Sequence, residues 1–238
     1  MGEFKTTRRD ALAAGVTMMV AGTSTRADAK QGESTVAWSD RSINSYQIGE
    51  QKGLESLQRV SGPIPPPAAG EVLVAVGAAA LNHRDLMIMR DQYGAPKPGS
   101  RIPLGDGAGE VVAIGPGVAG FAVGDRVTAP HFTSWVDGEF HPSVFATDLG
   151  STMDGWLTQV ARLPAPALVK LPDGVSYSAA AAWGAAGITA WTVLETLGQI
   201  KAGDLVLALG TGGVSILALQ LAKMNGASFA ITSSSDAK

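Results

Sequence analysis

Gly210-Thr211-Gly212-Gly213-Val214-Ser215 is the stretch whose residue types and spacing most directly suggest chemistry. It follows the apolar run Leu205–Leu209 and fits the pattern G-x-G-x-x-small. It also opens a segment in which Val214, Leu217, Leu221 and Met224 recur at helical spacing. A strand that passes into a helix through such a turn can cradle a pyrophosphate. Gly210 must turn sharply out of the strand, Gly212 lets the backbone approach the phosphates, and a small Ser215 lets helix and strand pack closely. The helix N-terminus adds free N–H groups and a partial positive charge. Gly210, Thr211, Gly212, Gly213, Val214 and Ser215 are therefore candidate cofactor-binding residues. The competing reading is an ordinary glycine turn between a strand and a helix.

The next apolar run, Ser228–Thr232, bears on which dinucleotide would fit. An NAD site places an Asp or Glu near the end of this strand for the adenosine ribose hydroxyls. Here the strand ends in Thr232-Ser233-Ser234-Ser235, and Asp236 comes slightly late. Small hydroxyl residues leave room for a 2′-phosphate and can donate hydrogen bonds to it. Ser233 and Ser234 join the candidate cofactor-binding residues, and NADP(H) is favoured over NAD(H). Alternatively, these serines only begin a turn.

Composition narrows the chemistry further. There is no cysteine, so disulfides, thiolate metal sites and cysteine nucleophiles are excluded. The only histidines are His83, His131 and His141. The formal net charge is −3, and basic residues cluster only in the first 30 positions, which argues against nucleic acid as a partner. With 45% hydrophobic and 16% charged residues, the chain has material for a substantial core.

The elements that must position these residues can be read along the chain. Residues 1–29 have the layout of a bacterial export signal. Arg8-Arg9 precede an apolar stretch from Ala11 to Ala21, and Ala27-Asp28-Ala29 offers a small-x-small cleavage site. The paired arginines resemble a twin-arginine signal, although Ala11 stands where that motif favours Phe and Ala13 where it favours Lys. This implies a periplasmic protein; the alternative is a cytoplasmic one with an arginine-bearing extension. The apolar stretch falls short of the roughly 20 residues a membrane-spanning helix needs.

Residues 30–43 read as a linker and 44–175 as a small β-barrel domain. Val72, Val74 and Val76 alternate with Leu73 and Ala75 in a strand buried on both faces. Two strand signals surround Gly115-Pro116-Gly117 and Gly124-Asp125. Ala167–Pro172 reads as one more strand. Pro63, Pro65, Pro66 and Pro67 enforce an extended connection.

From residue 176 the character changes. Ser176–Gly198 is alanine-rich and helical, divided by Gly184 and Gly187 into two helices or a kinked one. Leu205–Leu209 reads as a central parallel strand, and with the helix from Gly213 and the strand Ser228–Thr232 it makes a βαβ unit. The predicted fold class is α/β with a β-barrel: a barrel domain, then an incomplete βαβ domain over 176–238.

"ALNHRDLMI", "GDGAGEVVAIGPGVAGFAVGDRV", "DGWLTQV", "GITAW" and "ALGTGGVSILALQLAK" occur in an order and spacing similar to those of the medium-chain dehydrogenase/reductase superfamily. The resemblance runs from about Ser45 to Lys238 and implies a GroES-like barrel followed by a Rossmann domain. Zinc-using members place a Cys where Asn82 stands and a His-Glu pair in the segment containing Asp106-Gly107. The resemblance therefore points to the zinc-independent, quinone-oxidoreductase-like branch, with no metal site. The spacing of His83, His131 and His141 matches no familiar ligand pattern.

For that branch the implied reaction is transfer of hydride from NADPH to a quinone, enone or related carbonyl. The protein positions the reactants and steadies the developing oxyanion. Asn82 occupies the family position at the mouth of the cleft, where its amide could donate to a carbonyl oxygen or a cofactor hydroxyl. Thr189 matches a family position beside the nicotinamide. These two are the candidate catalytic residues. The competing readings are a turn residue for Asn82 and a hydroxyl bonded to its own helix for Thr189. Asp85 is expected to fix the Asn82 segment. Trp135, Phe140 and Phe145 could line a site for flat apolar substrates or simply cover the barrel.

Family members continue beyond the second Rossmann strand, so the sequence reads as C-terminally truncated. This predicts an open sheet edge at Leu205–Leu209 and homo-oligomerisation. It also keeps a non-catalytic remnant or nucleotide-binding protein as an alternative function. A zinc-type alcohol dehydrogenase is the reading that composition disfavours most. The expected partners are a small-molecule substrate and further copies of the chain.

Overall fold

A computed structural model describes residues 41–94 and 99–232. The export-signal reading of residues 1–29, most of the linker, and Ser233 and Ser234 lie outside the described residues. The linker reading extends slightly too far, because the first strand already begins at Ser42.

The paired strands of the barrel unit are all antiparallel. β1 (Ser42–Ile48) pairs with β2 (Leu57–Pro63) as a hairpin. β3 (Glu71–Ala80) lies beside β4 (Asp106–Ile114) and also pairs with β6 (Val160–Pro164). The two-residue β7 (Val169–Lys170) closes the far edge against β5 (Arg126–Thr128), giving the five-stranded order β6-β3-β4-β5-β7. The hairpin is joined to the segments that precede β6 and β4 through Tyr46 N–H to Leu157 O at 2.9 Å and Ile48 N–H to Arg101 O at 2.8 Å. The result is the GroES-like barrel expected from sequence.

β3 is buried on both faces over Val72, Leu73 and Val74, which explains its unbroken apolar run. Its inner face joins a core of Val111, Val127, Leu149, Trp156, Leu163 and Leu168. Of the strand expected over Ala167–Pro172 only β7 forms. Ala165–Ala167 is a short 3-10 turn, and Pro172 lacks the N–H that would extend the ladder.

Ser176 caps the helical stretch by accepting from the Ala179 N–H at 3.2 Å. Helix α1 (His83–Met89) lies earlier in the barrel unit; here α2 (Tyr177–Ala182) continues without a break into a π-turn at Trp183–Gly187. Next come α3 (Ile188–Trp191) and a second π segment at Thr192–Leu197. The expected division at Gly184 and Gly187 is therefore a widened helix rather than two helices. A Cβ at Gly187 would collide with the Trp183 ring, and one at Gly184 with Asp106. The wide turn is thus held by close packing on both glycines, and such π-turns recur at functional sites.

β8 (Leu205–Leu209), α4 (Gly213–Met224) and β9 (Ser228–Thr232) form the βαβ unit, with β8 and β9 parallel. Leu217 and Leu221 of α4 join Ala180, Ala181, Trp183 and Ile188 in a core that also includes Ala108 and Val169 of the barrel. One apolar core therefore runs from the barrel into the βαβ unit. β8 departs from the expected buried central strand, since Leu205, Leu207 and Leu209 are 74%, 60% and 74% exposed. The physical reason is coverage: among the described residues α4 packs on the β8–β9 pair, and nothing covers these three leucines.

Candidate active site

Asn82 follows β3 after one residue, Leu81, and caps α1. Its backbone N–H donates to Asp85 Oδ2 at 2.7 Å, while the Asp85 N–H donates to the Asn82 carbonyl at 3.0 Å. This reciprocal pair locks the segment, as the N-x-x-D spacing allows. Asp85 is buried, and burial pushes its carboxyl above the usual carboxylate range against the opposing pull of the Asn82 N–H and Arg84.

The Asn82 side chain turns inward. Its Nδ2 donates to Asp106 Oδ2 at 2.8 Å. The same oxygen accepts the Ala185 backbone N–H at 2.8 Å. Ala185 lies in the π-turn, and its carbonyl accepts from Thr189 Oγ1 at 2.8 Å. The two candidate catalytic residues are therefore linked: Asn82 through Asp106 to the N–H of Ala185, and Thr189 to the carbonyl of that residue. The Thr189 bond is the i−4 backbone bond open to a helical hydroxyl, and the hydroxyl is also exposed.

Asp106 is the residue that sequence reasoning missed. It is fully buried, and desolvation pushes its carboxyl up to about 6, against the stabilising Ala185 N–H and Asn82 amide. Oδ1 has no hydrogen-bond partner among the described residues. A carboxylate in the run of small residues Asp106–Gly109 that opens a strand was a signal that could have flagged it. Close by, Arg84 pairs with Asp148 at 2.8 Å and donates to the Leu149 carbonyl at 2.6 Å. This ties α1 to the segment after the aromatic loop.

Gly210 has a φ of 82°, the left-handed turn out of the strand that the motif requires. Gly210, Thr211, Gly212, Gly213, Val214 and Ser215 line the turn from β8 into α4. A Cβ on Gly212 would meet nothing within 4 Å, so the backbone there is open to a ligand. Gly213 faces the π-turn, where a Cβ would stand 3.3 Å from Ala186 Cβ. Ser215 Oγ donates to the Leu209 carbonyl at 3.2 Å, so the third small residue fastens the helix to the strand end. The turn presents the free N–H groups of a 12-residue helix. These features fit a dinucleotide pyrophosphate.

The aromatic loop packs largely on itself. Phe132 and Phe145 meet edge-on at 5.2 Å, Trp135 and Phe140 at 5.3 Å, and Phe140 and Phe145 at 5.9 Å. His141 accepts from the Ser143 N–H and so caps the turn Pro142–Thr147. Among the described residues no three His, Asp or Glu side chains lie close enough together to hold a metal ion. Cavities of about 460 and 470 Å³ lie on the barrel, one beside the β1–β2 hairpin and the other around Gly117–Phe121. Neither includes Asn82, Thr189 or the glycine turn. No described helix is long and apolar enough to cross a membrane.

Residues 68–173 match the alcohol dehydrogenase GroES-like domain. A zinc-type alcohol dehydrogenase-like protein of Schizosaccharomyces pombe is 46% identical over 173 residues, covering 71% of this chain and 49% of that protein. Among solved structures, a Sinorhizobium meliloti protein described as an alcohol dehydrogenase superposes with a TM-score of 0.76 at 31% identity, covering 83% of this chain and 59% of the other. A quinone oxidoreductase of Pseudomonas syringae gives a TM-score of 0.66 at 32% identity, covering 82% and 54%. The chain spans about half the length of the curated relatives it matches. Barrel, βαβ unit, family model and neighbours agree: the chain belongs to the medium-chain dehydrogenase/reductase superfamily.

Proposed function

We propose that this chain carries the barrel side and the phosphate turn of an NADPH-dependent oxidoreductase that reduces a quinone, enone or related carbonyl without a metal ion. The observation that carries the reading is the convergence of Asn82 and Thr189 on Ala185, whose neighbour Ala186 packs against Gly213 of the glycine turn. That arrangement sets two polar side chains and a phosphate cradle along one cleft.

When bound, the nicotinamide supplies a hydride to the electron-poor carbon of the substrate. The N–H groups of the glycine turn hold the pyrophosphate. One Asn82 N–H is committed to Asp106, which leaves the second to donate to the developing oxyanion. The Thr189 proton is committed to Ala185, so its oxygen serves as an acceptor for an N–H or O–H of the cofactor. The substrate oxygen then takes a proton from solvent. Ser233 and Ser234, following β9, are proposed to receive the 2′-phosphate.

The metal-free reading is supported by Asn82 at the position of a zinc-ligating Cys and by the lack of any cysteine. The resemblance to a zinc-type relative keeps the alternative in view, and metal analysis of the purified chain decides between them. The direct test measures NADPH affinity and NADPH oxidation with a simple quinone. Binding with turnover supports the reductase. Binding without turnover supports a nucleotide-binding protein, and no binding defeats the site assignment. The export-type leader favours a periplasmic location, tested by fractionating cells that express the tagged chain.

A further inference from the structure

We propose that Asp106 is a positioning residue for the cleft: its Oδ2 holds the Asn82 amide and the Ala185 N–H together, so its ionisation sets how firmly the barrel side is tied to the cofactor side. The proposal rests on the reductase reading, because it assigns the cleft to Asn82 and Thr189.

The geometry allows little else for this carboxyl group. Asp106 opens β4 opposite Ala80, two residues ahead of Asn82, and its register partner brings no charge. From α1 it receives the Asn82 amide at 2.8 Å, with Arg84 and Asp85 on the same helix. From the π-turn it receives the Ala185 N–H at 2.8 Å, and Gly184 approaches Oδ1 so closely that no side chain fits between. Across Gly105 lies His131, while Asp148 reaches the cluster through Arg84. His83, next to Asn82 in sequence, is a further proton-binding group beside the cleft.

An ionised carboxylate only accepts, so it requires the NH₂ end of the Asn82 amide to face inward. The amide carbonyl and the second N–H then face away from Asp106. Hydrogen bonds to an ionised acceptor are roughly twice as strong as neutral ones, so protonation weakens both links at once. Oδ1, which has no hydrogen-bond partner among the described residues, can take the proton without displacing either donor. Burial raises the carboxyl to about 6, which places this change in an accessible pH range. Because Thr189 bonds the carbonyl of the residue whose N–H Asp106 holds, the change reaches both candidate catalytic side chains.

The test is an NMR titration of the full chain, following the Asn82 side-chain amide and the Ala185 backbone amide in wild type and in Asp106→Asn. The expected result is that both amides shift on one single-proton curve near pH 6 in wild type and stay flat in Asp106→Asn. As pH falls through this range, NADPH affinity should fall severalfold more in wild type than in Asp106→Asn, where only the cofactor's own 2′-phosphate titrates. Flat wild-type amides overturn the proposal even if the variant fails to fold. A titration that persists in Asp106→Asn also overturns it, because a group other than Asp106 would then be the source. Coupled titration in a chain that binds no NADPH at any pH supports the Asp106 linkage and defeats the reductase reading instead.

Discussion

Asn82 and Thr189 meet at a single residue: Ala185 donates its N–H to the carboxylate that holds Asn82, and accepts from the hydroxyl of Thr189. One residue lies on the barrel and the other on the helix beside the glycine turn, so the cleft is braced from both sides. Any change at Ala185 or Asp106 should be felt by both.

The raised carboxyl of Asp106 gives stability a definite pH dependence. In the unfolded chain the group titrates at its ordinary 3.8, and in the fold at about 6. Between these values the folded state keeps a proton that the unfolded state releases, so stability falls as pH rises across this window. The full effect is about 3 kcal/mol. Urea unfolding from about pH 4 to pH 7 should show the slope in wild type and a much smaller one in Asp106→Asn. Asp85 is shifted in the same direction and adds to the slope in both proteins.

Glycine positions in the turn should separate cofactor binding from folding. A methyl at Gly212 meets no neighbour within 4 Å, and its φ of −75° suits any residue. Gly212→Ala should therefore leave the unfolding midpoint unchanged and weaken NADPH binding at least tenfold. Gly210→Ala should weaken NADPH binding and also destabilise the fold, by about 1–2 kcal/mol, because φ is positive there. Paired denaturation and NADPH titration read the difference, and equal destabilisation by the two substitutions would contradict it.

Gly184→Ala should damage the cleft from behind. The new methyl collides with Asp106 Oδ1 in a site packed on all sides. The expected loss is about 1–3 kcal/mol, as for other overpacked cores. The Asn82 side-chain amide resonance should shift at the same time. An unchanged resonance would mean that Asp106 does not transmit the strain.

Breaking the Arg84–Asp148 pair should cost more than losing a surface ion pair. Its side chains are 11% and 1% exposed, so Arg84→Met leaves a buried carboxylate without its guanidinium. The expected loss is about 3–5 kcal/mol. Arg84→Lys should recover only part of it, since a lysine cannot also reach the Leu149 carbonyl with a second fork nitrogen. Chemical denaturation of the two variants measures both effects.

Leu205, Leu207 and Leu209 form an exposed apolar row on β8. Such patches mark association surfaces. The purified chain should self-associate with rising concentration, and Leu205→Lys with Leu209→Lys should shift it toward monomer in sedimentation velocity. Identical sedimentation of both proteins would contradict this.

The sequence by itself determined the elements and their order. The Val72–Val76 run, the glycine-punctuated strands, and the strand–turn–helix around Gly210 are local patterns with local physical causes, and each formed close to its expected place. It also placed Asn82, Thr189 and the glycine turn as candidates. Only the tertiary structure decided what those candidates touch. Asp106 entered the sequence reading only as part of the segment where zinc-using members carry a His-Glu pair, because nothing in a linear pattern says that a carboxylate will be buried against a π-turn far along the chain. The exposed Thr189 hydroxyl takes the bond to its own helix that the sequence offered as a competing reading, and the loop holding Trp135, Phe140 and Phe145 packs largely on itself instead of lining a described cavity. Side-chain partners of this kind are set by burial and by which backbone donors arrive nearby. Both are properties of the packed chain, and neither is visible in its local sequence.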